Sequence, residues 1–184
     1  MLTSVLSGNH LAIRKRAAII SLSIGFGMFF FKIGAYLITG SAAIFSDAAE
    51  SVVHVLATSM ALFSIILSSK PPDKTHFYGH GNVEYFSAGI EGLLIVVAAI
   101  VIIYAGVVDI IKGPELKQLG IGAVVITIAS IVNLLLGNYL IRIGKKTNSL
   151  TLVADGKHVL TDSITSFGVI VAVVLVIITG IQIL

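Results

Sequence analysis

Two short stretches carry side chains that bind metal ions or protons. Residues 46–54 read Ser-Asp-Ala-Ala-Glu-Ser-Val-Val-His, and residues 155–162 read Asp-Gly-Lys-His-Val-Leu-Thr-Asp. Each holds a carboxylate and an imidazole at i and i+4: Glu50 with His54, and His158 with Asp162. On an α-helix that spacing stacks the two on one face with Cβ atoms about 5–6 Å apart. Asp47 and Asp155, three residues before Glu50 and His158, fall on the same two faces. Both stretches lie in long apolar runs, where an ionisable side chain costs about 2.5–3.5 kcal/mol on insertion scales. Two carboxylates and two imidazoles form an N/O donor set suited to tetrahedral Zn²⁺ and acceptable to Fe²⁺, Co²⁺ or Mn²⁺. Asp47, Glu50 and Asp162 would repel one another unless protonated or neutralised by a cation. A relay for protons alone is the competing use of such a stripe.

The elements that carry these residues follow from composition. Of 184 residues, 57% are hydrophobic and 11% charged, and the mean hydropathy is +1.06. Soluble domains carry about 25% charged residues, so most of this chain is solvated by lipid. The absence of cysteine excludes a disulfide scaffold and any cysteine-ligated metal. Disordered chains are marked by low hydrophobicity and are excluded as well. The net charge of +3 does not point to nucleic acid, because basic residues in a membrane protein set its topology.

Five stretches reach the roughly 20 apolar residues that span a bilayer: 17–39, 41–68, 84–111, 118–141 and 149–180. None alternates with the period of two that a barrel strand needs. The expected fold is an all-α integral membrane protein, a bundle of five transmembrane helices with residues 1–184 forming one transmembrane domain. The apolar run after Arg14–Lys15–Arg16 is too long for a signal peptide. Connections are expected at Thr39–Ser41, Ser69–Asn82, Gly113–Lys117 and Lys145–Asn148. Alternating the spans puts Arg14, Lys15, Arg16, Lys70, Lys74, Arg142, Lys145 and Lys146 on one side, against Lys112 and Lys117 on the other. The positive-inside rule then makes the N-terminus and the 69–82 loop cytoplasmic.

Depth brings the two stretches together. At about 1.5 Å per residue, Glu50 and His54 lie roughly 14 and 20 Å from the start of the second span. His158 and Asp162 lie roughly 14 and 20 Å from the start of the fifth, which runs the other way. In a hydrocarbon core about 30 Å thick, all four fall within about one helical turn of the midplane.

At these residues the chain resembles the cation diffusion facilitator family. Three stretches carry the resemblance: Thr39 to Ser51 in the second span, Pro71 to Asn82 in the loop, and Ala154 to Asp162 in the fifth. The resemblance implies proton-coupled efflux of a divalent cation by alternating access, without covalent catalysis. The transport site it implies takes one i, i+4 pair from each of the second and fifth helices. His158 and Asp162 match directly. On the second helix Glu50 and His54 replace the family's His/Asp or Asp/Asp, and Asp47 is an alternative ligand to Glu50. Zinc is the expected ion, with Fe²⁺, Mn²⁺ and Co²⁺ as alternatives. The resemblance also makes Asp73, His76 and His80 in the loop candidates for a peripheral metal site, with a solvated turn as the plainer and favoured reading. The family pattern has six helices and often a C-terminal cytoplasmic domain, and this sequence supplies five helices and no such domain. A homodimer in the cell (inner) membrane is also implied. The alternative is a truncated fragment or membrane assembly protein whose polar stripe only pairs helices.

Other residues have plainer roles. Lys32 and Glu91 are expected to form a structural ion pair with each other, and Glu84 to sit at a helix start where the dipole favours an anion. Asn133 and Asn138 are expected to hydrogen-bond between helices. Gly25, Gly27 and Gly34 are expected to allow close packing. Lys157 points off the ligand face.

Overall fold

A computed structural model of the chain describes residues 2–39, 42–112 and 119–179, with side chains over most of that length. Five helices occupy it: α1 Leu2–Thr39, α2 Ala42–Ser68, α3 Val83–Lys112, α4 Leu119–Thr147 and α5 Leu150–Thr179. No strand occurs among the described residues. Segments within α1 to α4 (His10–Ile38, Asp47–Ser68, Val83–Val101 and Ala123–Thr147) are long and apolar enough to cross a bilayer. The chain is an all-α integral membrane protein. The connections expected at 39–41 and 113–117 fall on residues 40–41 and 113–118, outside the described residues.

The helices outrun the apolar stretches at two places. α1 begins at Leu2 instead of 17, so Arg14, Lys15 and Arg16 ride on a continuous helix. α4 runs on to Thr147 instead of 141. Its last turn carries Lys145 and Lys146, where cations complement the helix dipole. Hydropathy marks where lipid ends, whereas a helix ends where its backbone is capped. That cap is Asn148, in the left-handed region at φ 54°. The Ser149 amide then donates to the Gly144 carbonyl at 2.9 Å, which is a Schellman closure. The expected four-residue connection at 145–148 shrinks to Asn148 and Ser149, and α4 and α5 become a tight antiparallel pair.

That pair is the most intimate in the bundle, and α1 with α2 is the next. Its seam is glycine. A Cβ on Gly137 would stand 2.8 Å from the Gly156 carbonyl oxygen, and one on Gly144 would stand 2.7 Å from Val153 Cγ2. Backbone therefore packs on backbone, the usual source of helix affinity in lipid. Ser130 and Ser163 each donate to the other's carbonyl, at 3.0 and 2.8 Å.

Ala17, Ala18, Ile65, Leu136, Leu140, Leu152 and Val159 form the main apolar core between α1, α2, α4 and α5. Buried polar side chains are as prominent, among them Lys32, His54, Glu84, Glu91, Asp155 and His158, while Phe30, Leu37, Leu56, Phe63 and Ile103 face outward. A water-soluble domain has the reverse arrangement.

Candidate functional site

α2 and α5 are antiparallel, so their polar stripes meet in layers. In the middle layer the rings of His54 and His158 lie with centroids 6.0 Å apart, both buried. The Nε2 atoms of both rings have no hydrogen-bond partner among the described residues. One turn toward the α1–α2 connection stand Glu50 and Asp162, partly exposed and within electrostatic reach of one another. Asp162 Oδ2 lies 3.8 Å from His158 Nε2. The two pairs thus face each other across the α2–α5 contact. Two buried imidazole nitrogens without hydrogen-bond partners among the described residues stand beside two carboxylates, the kind of donor set a dication takes in an apolar surround. The four are not drawn into one tight cluster, since among the described residues only Asp73, His76 and His80 bring three ligand atoms within 4.8 Å of one another.

Beyond Glu50 lies Asp47, the alternative ligand. Its Oδ1 accepts from Lys32 Nζ at 2.8 Å, and its backbone carbonyl accepts from the same ammonium at 3.3 Å. The expected pairing of Lys32 with Glu91 is therefore not formed. Lys32 and Asp47 stand at matched distances from the α1–α2 connection, whereas Glu91 belongs to the opposite half of the bundle. Both Glu91 oxygens are buried without a hydrogen-bond partner among the described residues.

On the other side of the imidazoles Asp155 is fully buried. It accepts from the hydroxyls of Ser21 on α1 and Thr58 on α2, each at 3.0 Å. Its Oδ1 lies 3.7 Å from His54 Nε2. Ser21 and Thr58 carry no sequence signal, because hydroxyls are ordinary at membrane helix contacts. Gly25 also bears on the site: a Cβ there would meet His54 Nδ1 at 3.2 Å. Lys157 is exposed, off the ligand face as expected. Asn133 is buried, but Asn138 donates to Leu134 of its own helix at 2.8 Å, not between helices.

At the loop end Glu84 does more than complement a helix dipole. It lies in the first turn of α3 and accepts from Arg14 at 2.9 Å, Ser68 at 3.0 Å and Ser149 at 2.8 Å. Arg14 also donates to the Thr147 carbonyl.

Within the loop, the ligand atoms of Asp73, His76 and His80 lie within 4.8 Å of one another. The Asp73 carboxylate accepts from the Thr75 hydroxyl at 2.8 Å and from the amides of Thr75 and His76 at 2.9 and 2.7 Å. All three bonds fall on Oδ1. Oδ2 faces His80 Nε2 at 3.4 Å. Gly79, at φ 78°, makes the reversal that stacks the two rings with centroids 4.4 Å apart. Those bonds, the Thr75 hydroxyl first, hold the Asp73 carboxyl well below the usual carboxylate range.

Residues 18–184 match the family of the cation efflux transmembrane domain. An uncharacterised transporter of Synechocystis sp. is 39% identical over 163 residues, covering 89% of this chain and 53% of that protein. The manganese efflux system protein MneP of Bacillus subtilis is 30% identical, covering 88% of this chain and 56% of its own length. The cation-efflux pump FieF of Klebsiella pneumoniae is 29% identical, covering 85% and 52%. The chain spans about half the length of the curated relatives it matches. With residues 18–184 matched, the chain belongs to the cation diffusion facilitator, or cation efflux, family.

Proposed function

We propose that this chain moves a divalent cation out across the membrane in exchange for protons, by alternating access, with Glu50, His54, His158 and Asp162 as ligands. The observation that carries the reading is the facing of the two i, i+4 pairs, with both Nε2 atoms buried and without a hydrogen-bond partner among the described residues. An ion entering from the loop end exchanges its waters for two imidazole nitrogens and two carboxylates. Ligands must be deprotonated to bind it, so binding expels protons and reprotonation on the far side releases the ion. The site binds and moves its ion without making or breaking covalent bonds, so the protein is a carrier and not an enzyme.

Zinc is the proposed ion, because imidazole suits it better than it suits manganese. The name of the Bacillus subtilis relative makes Mn²⁺ the competitor to test, with Fe²⁺ and Co²⁺ beside it. Asp73, His76 and His80 form a second, peripheral cation site in the loop, supported by their clustering. A homodimer with the N-terminus in the cytoplasm, in the cell membrane, belongs to the same proposal.

The test uses purified chain in liposomes with an imposed proton gradient and calorimetry in detergent. Zinc uptake and saturable zinc binding are expected, and both are lost in Asp162→Ala. Binding and transport that survive this change would falsify the proposed site. A stripe that only pairs helices would show no saturable binding in the unaltered chain.

A further inference from the structure

Lys32 is the only buried lysine or arginine among the described residues. It reaches from α1 into the polar stripe of α2 and takes Asp47 Oδ1 at 2.8 Å and the Asp47 carbonyl at 3.3 Å. Asp47 stands one turn, about 4.5 Å along the helix, beyond Glu50 on the same face. Its other oxygen, Oδ2, is buried and has no hydrogen-bond partner among the described residues. Asp47 therefore has the position and the free lone pair of a metal ligand, but its charge is matched by a resident ammonium. That ammonium stands within electrostatic reach of Glu50, His54 and Asp162. A dication that shared Asp47 would stand against a fixed positive charge in a medium of low dielectric constant.

We infer that Lys32 is a specificity-determining residue of the proposed transport site: by holding Asp47 as its counter-ion, it keeps that carboxylate out of the metal's coordination. The inference rests on the ligand set proposed above. With Asp47 withheld, the ion meets two imidazoles and two carboxylates, a four-donor set that suits tetrahedral Zn²⁺. With Asp47 released, a fifth, oxygen donor joins, and oxygen-rich shells of higher coordination number suit Mn²⁺.

The experiment compares the purified chain with Lys32→Met, Lys32→Arg and the double variant Lys32→Met/Asp47→Leu. Zinc and manganese affinities are measured by calorimetry. The visible spectrum of bound Co²⁺, intense when four-coordinate and weak at higher coordination, reports ligand number. Lys32→Met is expected to raise the Mn²⁺-to-Zn²⁺ affinity ratio at least about tenfold and to weaken the cobalt spectrum. Lys32→Arg and the double variant are expected to keep the original ratio and spectrum. An unchanged ratio and spectrum in folded Lys32→Met overturns the inference. So does a ratio that rises equally in the double variant, since the effect is then one of charge alone.

If Lys32→Met, which leaves a bare carboxylate, does not fold, the double variant decides, because replacing both partners by apolar residues is commonly tolerated. Zinc affinity close to the original, with a four-coordinate spectrum, supports the inference. A loss as large as that of Asp162→Ala makes Asp47 a ligand and overturns it. Zinc binding that survives Asp162→Ala removes the site itself, whereas Asp162-dependent binding with an unaltered Lys32→Met removes only the role of Lys32.

Discussion

His54 is backed by Gly25, where an added Cβ would stand 3.2 Å from Nδ1 and 3.3 Å from Cε1 of the ring. Gly25→Ala should push the imidazole off its position and weaken zinc binding roughly tenfold, the scale at which residues behind a metal ligand matter. Gly27→Ala, with nothing within 4 Å, is the control and should leave the isotherm unchanged. Calorimetry decides, and equal affinity in both variants would show that the ring has room. In the loop, the lowered Asp73 carboxyl fixes the sign of a pH effect. Its charge contributes above the ordinary carboxylate pKa of about 3.9 and is lost only as pH falls through the lowered value. Between about pH 5.5 and 7.5 it is a constant anion, so Asp73 adds no pH dependence of its own to the proposed loop metal binding there. Measured in the Asp162→Ala chain, that affinity should fall as pH falls. Thr75→Val should leave the midpoint in place; a shifted midpoint would put Asp73 in the titration. The i, i+4 pairs were legible from spacing alone, whereas the loop trio was raised by the family resemblance. The partner of Lys32 was not legible: the expected pairing with Glu91 rested on charge, and charge does not fix depth. The α1–α2 hairpin chooses: Lys32 lies seven residues before the end of α1 and Asp47 five after the start of α2, near enough in level for the two to pair at 2.8 Å.

The helices themselves were readable because apolar runs near 30 residues admit few other structures in lipid. Their ends were not, because α1 and α4 continue into polar sequence, where backbone capping and cross-helix bonds outweigh hydropathy. Glu84 shows which forces act there. A helix-start carboxylate is legible from sequence, but its three donors come from α1, α2 and the α4–α5 connection, up to 70 residues away in the chain. Glu84→Ala strips all three and leaves Arg14 partly buried without its carboxylate. The pair is partly exposed, so the expected loss is about 2–3 kcal/mol, below that of a fully buried broken pair. Glu84→Gln keeps acceptor oxygen for the serines and should lose less. Thermal unfolding in detergent orders the three proteins, and an alanine variant as stable as the original would make the cluster decorative. His158 and Asp162 lie more than a turn along α5, so zinc affinity in folded Glu84→Ala should stay within a few-fold of the original.

At the scale of the whole molecule, the Glu84 cluster identifies one end of the bundle. It joins the first part of α1, the end of α2, the start of α3 and the α4–α5 connection. Arg14, Lys15, Arg16, Lys70, Lys74, Arg142, Lys145 and Lys146 belong to these same segments. In the proposed orientation the positive-inside rule puts this end in the cytoplasm, and an exporter would then take its ion from the loop end. The sequence contains no cysteine, so a single introduced thiol reports sidedness without background. Ser69 is exposed at the start of the loop, and its hydroxyl's one hydrogen bond among the described residues is to the Ile66 carbonyl near the end of α2, so Ser69→Cys should fold as the original does. A membrane-impermeant maleimide is expected to label it in inside-out vesicles and not in intact cells. Labelling from outside would invert the bundle and, with it, the direction of transport. The proposed site would survive that result unchanged, because the facing of His54 and His158 does not depend on which compartment lies at which end.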